Sequence, residues 1–101
     1  MVNEMKNTRR LFVLIDTDPD KDAKVEEQLM KFDEIFELHY LSGQYDILAI
    51  ANVEIYGNPI FSEVQDVSYR LIEKIRKITG VRDTSSWVPF RSLVKTKEKN
   101  E

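Results

Sequence analysis

Ser42-Gly43-Gln44-Tyr45-Asp46-Ile47-Leu48-Ala49-Ile50-Ala51 is a turn that opens into an apolar strand, and its reading decides the fold. Upstream of it, residues 35–41 alternate Phe36, Leu38 and Tyr40 against Glu37 and His39, the period of a half-buried strand. A link as short as Ser42-Gly43-Gln44 joins that strand to the next, residues 45–53, as a hairpin. Further upstream, Val25, Leu29 and Phe32 fall at helical spacing. Asp18 is placed to cap that helix, with Pro19 in its first turn, where a missing N–H costs nothing. Before it stands a strand over residues 10–17. Downstream, Val64, Val67, Leu71, Ile75 and Ile78 recur every three or four residues, and Ile72 widens the stripe. Ser62 with Gln65 reads as a capping box, and Gly80 as a left-handed helix stop. A fourth strand occupies residues 81–94, with Pro89 marking an edge or a break. The order is β-α-β-β-α-β, an α+β ferredoxin-like sandwich with two helices on one face of an antiparallel sheet.

One face is not enough for these strands. Phe12 and Leu14 alternate with Leu11, Val13 and Ile15, and Ile47, Ala49 and Ala51 with Leu48, Ile50 and Val53, so both faces of the sheet are apolar. A single helical layer covers one of them. The expected remedy is a second copy packed sheet to sheet, a homodimer of αβ-barrel form.

Composition narrows the function classes. The 101 residues suit one domain: a terminal segment over residues 1–9, a folded domain over 10–94 and a charged tail over 95–101. A net charge of −3 argues against a face for duplex nucleic acid. With no cysteine there is neither disulfide nor thiolate chemistry. The longest apolar run, residues 11–15, is far short of the roughly 20 residues that span a bilayer. The first ten residues lack the apolar core of a secretory signal, so a cytoplasmic protein is expected. His39, the sole histidine, alternates outward beside Glu37 and builds no catalytic or metal constellation. Asp16, Asp18, Asp20 and Asp22 lack the glycine and distal glutamate of a calcium loop. No metal and no cofactor are expected. Trp87 and Phe90 are read as core or interface anchors.

With these segments placed, the chain resembles the effector-binding domain of the Lrp/AsnC feast/famine regulators, the domain of regulation of amino-acid metabolism (RAM). The resemblance rests on residues 12–19, Phe-Val-Leu-Ile-Asp-Thr-Asp-Pro; on the turn Ser42-Gly43-Gln44-Tyr45-Asp46; and on residues 75–86, from Ile75 through Thr79-Gly80-Val81-Arg82-Asp83-Thr84-Ser85-Ser86. It implies dimers joined through their sheets, assembled further into even-numbered oligomers, with amino acids or related metabolites bound between dimers. It also implies a role in transcription regulation, by co-assembly with full-length regulators of the family. Carried across residue by residue, the ligand-binding candidates are Gly43, Tyr45 and Asp46 from the turn and Thr84 and Ser86 from the last strand. Two stretches depart from the pattern: Tyr56-Gly57-Asn58-Pro59 lengthens the approach to the second helix, and Trp87-Val88-Pro89-Phe90 is bulkier than the usual strand end. The helix-turn-helix domain that precedes this one in the family has no counterpart in the residues before the first strand, so direct operator binding is not expected.

The chemistry of the candidates suits a free amino acid. The backbone at Gly43 admits close approach, Thr84 and Ser86 lie two apart and offer hydroxyls to a carboxylate, and Asp46 offers a partner to an ammonium. Each has a plainer reading: Gly43 as a turn glycine, Asp46 as an acceptor for nearby N–H groups, and Thr84 and Ser86 as solvent-facing strand residues. Two other functions stand beside sensing. One is a small enzyme of the cofactor-independent monooxygenase type on the same dimeric barrel; the other is a purely structural assembly domain.

Overall fold

The computed structural model describes residues 6–56, 61–89, 91–93 and 95. Strand β1 (Lys6–Thr17), helix α1 (Asp22–Leu29), strands β2 (Ile35–Tyr40) and β3 (Ile47–Tyr56), helix α2 (Phe61–Arg76) and strand β4 (Val81–Trp87) follow in the expected order. Residues 1–5, the Gly57-Asn58-Pro59 insertion, Phe90, Val94 and the tail from residue 96 lie outside the described residues. So do the side chains of Ser62 and Val64, on which the capping box and one stripe position rest.

All pairings are antiparallel and the sheet order is β2-β3-β1-β4. The apolar runs of β1 and β3 occupy the two central positions of the sheet. Their register sets Leu11 against Ala51, Val13 against Ala49 and Ile15 against Ile47. These six side chains face the helices and, with Val25 and Leu29 of α1 and Leu71, Ile72 and Ile75 of α2, form the core. Val53 belongs to this same face, 2 % exposed, and not to the opposite one with Leu48 and Ile50: it follows Ala51 by two along a pleated strand.

The opposite face carries no helix. Phe12 pairs with Ile50 and with Trp87, and Leu14 with Leu48. Trp87 is 62 % exposed, and the other four are half-buried by their neighbours alone. An apolar strip across three strands therefore lies open, as the double-faced pattern predicts.

Several bounds differ from the sequence reading: β1 begins at Lys6 rather than at residue 10, β3 runs over Ile47–Tyr56 rather than 45–53, and α2 ends at Arg76 with Ile78 beyond it. Residues 18–21 form a turn closed by the Lys21 amide donating to the Asp18 carbonyl (3.0 Å), with Asp20 at φ +66. Helix α1 therefore starts at Asp22, with Lys21 as its cap residue and no side-chain cap, rather than at Asp18. β2 carries a bulge between Ile35 and Glu37. The extra residue turns Phe36 out of the alternation with Leu38 and Tyr40 and onto the open face, 44 % exposed, under the Arg10 guanidinium at 5.8 Å. β4 stops at Trp87, two residues before Pro89. Gly80, at φ +104, sits beyond the end of α2 in a turn whose carbonyl accepts from the Asp18 amide at 2.8 Å. That bond ties the α2–β4 turn to the β1–α1 turn.

Candidate functional site

Where those turns meet the β2–β3 connection, the end of the sheet forms an open hollow of about 390 Å³. The connection, residues 41–46, is anchored at its C-terminal end. The Asp46 amide donates to the Ile15 carbonyl (2.9 Å), and the Asp46 carbonyl accepts from the Leu41 amide (2.8 Å). The Asp46 carboxylate then accepts from the Thr17 amide (2.8 Å) and the Thr17 hydroxyl (3.2 Å). The hydrogen bond from the Thr17 amide is the chief reason its pKa lies below the ordinary carboxylate range; the Thr17 hydroxyl and the charge of Arg82 act in the same direction. Arg82 forks onto Asp16, with Nη2 at 3.1 and 3.3 Å from the two carboxylate oxygens and Nε at 3.2 Å. Gly43, at φ +149, has no heavy atom within 4 Å of where a side chain would begin, so the hollow is open on its side. Asp18, Pro19, Asp20, Asp22 and Gln44 complete the wall.

The five sequence candidates do not converge within one chain. Gly43 and Asp46 line this hollow, and Tyr45 is half-buried beside it in sequence. Thr84 and Ser86 share a sheet face, the helix face, opposite Ile15 and Val13, but Thr84 is buried there whereas Ser86, next to the end of the strand, is exposed. Thr84 is 8 % exposed, and its hydroxyl accepts from Arg76 Nε at 3.0 Å. Ser86 lines a second hollow of about 450 Å³, between α2 and β1, with Leu11, Ile72 and Val88. There the Ser68 hydroxyl, 3 % exposed, has no hydrogen-bond partner among the described residues.

Thr17 and Arg82 also line the first hollow, and sequence reasoning passed them over. Their signal was modest: Thr17 ends a strand, and Arg82 follows a turn glycine by two. What brings Arg82 to Asp16 is the register shift between Asp16 and Thr17 in the β1–β4 ladder, which no local pattern announces. His39 lies on the open face, its Nε2 2.7 Å from Glu37 Oε2, both exposed. Among the described residues no group of three His, Asp or Glu side chains is placed to hold a metal ion, and no helix is long and apolar enough to cross a membrane.

Comparison with known proteins matches residues 10–56 to the Lrp/AsnC ligand binding domain. An uncharacterized HTH-type transcriptional regulator of Pyrococcus furiosus is 34% identical over 85 residues, covering 81% of this chain and 51% of that protein. The chain thus spans about half the length of the curated relatives it matches. Among solved structures, the feast or famine regulatory protein of M. tuberculosis complexed with L-methionine superposes with a TM-score of 0.69 at 17% identity, over 90% of this chain and 56% of that one. A Neisseria meningitidis transcriptional regulator in complex with L-Met gives 0.66 at 20% identity, over 87% of this chain and 53% of that one. At such identities the likeness is one of fold.

Proposed function

Since this chain is a ligand-binding domain of the Lrp/AsnC family, we propose that it is a non-catalytic sensing module for an amino acid or related metabolite. It works as a dimer joined through the open sheet face and acts in the cytoplasm, on transcription, by assembling with itself and with full-length family regulators. The observation that carries this reading is the hollow beneath residues 42–46. There the guanidinium of Arg82, forked onto Asp16, stands among the carboxylates of Asp16, Asp18, Asp20, Asp22 and Asp46, a strongly acidic setting with partners for an ammonium. The relatives solved with L-methionine supply the ligand class.

Gly43, Tyr45 and Asp46 form the near wall of the proposed site. Ser86 belongs to another hollow of the same chain, and Thr84 contributes by holding Arg76, so the far wall is supplied by a neighbouring copy. Binding then biases one assembly over another through its differential affinity. A structural reading has its own support: the Asp46 carboxylate already accepts two hydrogen bonds from Thr17, which is reason enough for an aspartate there.

Native mass spectrometry with and without pooled amino acids separates the two. Even-numbered assemblies carrying discrete amino-acid masses are expected; even-numbered assemblies that stay bare would leave the structural reading standing, and a monomer would remove both.

A further inference from the structure

On the outer, helical side of the molecule, a hollow of about 500 Å³ lies between α1 and the end of α2. Lys21 and Lys24 reach it from the start of α1, and Lys74 and Lys77 from the last turn of α2 and just beyond. Gln28 and Thr79 add polar groups, and Glu27 is the only acid on its wall. Four cations against one carboxylate, in a protein of net charge −3, is a local reversal of the molecule's overall sign.

Local helix chemistry does not account for the arrangement. Cations at the end of α2 suit the negative end of that helix. Lys21 and Lys24 stand at the positive end of α1, where acids are favoured, and α1 has no basic residue in its last turn. Each helix places two like charges three residues apart, a spacing at which they repel. The nearby acids are engaged elsewhere: Glu73 lies 3.6 Å from Arg76, and Asp22 Oδ1 accepts from the Ala23 amide. Among the described residues none of the four lysines makes an ion pair. Gly80 builds the approach of the two helices: a Cβ there would stand 2.9 Å from Lys21 Cβ and 3.0 Å from Val25 Cγ2, so only glycine lets the α2–β4 turn pack against the start of α1.

We propose that this hollow is a binding site for a small polyphosphate anion, distinct from the hollow beneath residues 42–46. Clustered phosphate oxygens neutralise several ammonium groups at once, and lysine serves such anions as a mobile point charge. The volume fits a small ligand, while the compact, two-helix outline does not offer the extended stripe that tracks a nucleic-acid backbone.

The test is titration of the full chain with sodium tripolyphosphate at low salt, by calorimetry and by backbone amide NMR. Saturable binding is expected, with shifts centred on Lys21, Lys24, Lys74, Lys77 and Thr79 and an affinity that falls steeply as salt rises. The double variant Lys24→Gln, Lys77→Gln should bind at least tenfold more weakly with an unchanged melting temperature, and Lys24→Glu, Lys77→Glu should not bind measurably. A parallel titration with a nucleoside triphosphate identifies the source of the phosphates: equal affinity supports free polyphosphate, and a tighter, base-dependent complex supports a nucleotide. Absence of binding at millimolar anion, shifts that avoid the four lysines, an affinity indifferent to the Gln variants, or preferential binding of a duplex oligonucleotide would each overturn the proposal.

Discussion

At the scale of single residues, Asp46 joins the two halves of the account, because the carboxylate that faces the hollow also holds the end of β1 through Thr17. Its pKa is lowered, so the ionised form is the stabilising one. That stability is fully present above the ordinary value of 3.8 and is lost as pH falls through the lower, folded value. Asp46→Asn should therefore lower the melting temperature at pH 7, and the gap to the parent protein should close as pH drops below 3.8; a gap that persists in acid would mean that the amide geometry, not the charge, is what matters. The same variant should weaken amino-acid binding. Gly43 and Gly80, both at positive φ, make a second comparison. At Gly80 a side chain adds a backbone penalty to a contact at 2.9 Å, and Gly80→Ala should cost about 2–4 kcal/mol in chemical denaturation. At Gly43 there is room, so Gly43→Ala should cost only the backbone penalty, about 1–3 kcal/mol. An equal or larger loss at Gly43 would show the turn to be more tightly specified than its open surroundings suggest.

Among the elements, α1 is the one that cannot stand alone. Eight residues are too few for an isolated helix, which needs roughly 12–15 even in favourable sequences. Val25 and Leu29, both fully buried, are what hold it to the sheet. Leu29→Ala should cost about 2–5 kcal/mol, and hydrogen exchange should show the amides of α1 losing protection before those of α2; uniform loss across both helices would mean that they open as one unit. The legibility of each element in the sequence follows from what determines it. β1 and β3 declare themselves because a central strand is apolar at successive positions, and α2 because Leu71, Ile72 and Ile75 keep their period over a long helix. The start of α1 misleads, since Asp18-Pro19 has the chemistry of a cap while the positive φ at Asp20 inserts a turn first. Phe36 misleads for a related reason: one bulged residue reverses its face without altering its composition. Two of the residues lining the proposed site, Gly43 and Asp46, stand out in the sequence, whereas Arg82 arrives through a register shift, and Thr84 is held by Arg76 on a different element. Contacts of that kind depend on tertiary approach, which spacing along one chain does not encode.

At the scale of the whole molecule, the open sheet face sets the terms. Phe12, Leu14, Leu48, Ile50 and Trp87 lie across β3, β1 and β4, and a contiguous apolar strip of this kind calls for a partner. Leu48→Lys should leave the fold intact, because the residue lies opposite the core, yet hold the protein monomeric in sedimentation velocity at micromolar concentration; a dimer unaffected by this change would have to use another surface. The periphery of the sheet has a consequence of its own. β2 and β4 are its outermost strands, and each departs from a regular ladder, β2 through its bulge at Ile35 and Glu37 and β4 where it pairs with β1 at Asp16 and Thr17. Glu37 and His39 stand on one rim, Arg82 and Asp83 on the other. Irregular, charged rims are poor templates for the addition of a foreign strand. Growth by strand addition, the route to open-ended fibrils, is thereby discouraged, so the chain is able to keep a sticky surface for finite assemblies without becoming a seed for infinite ones.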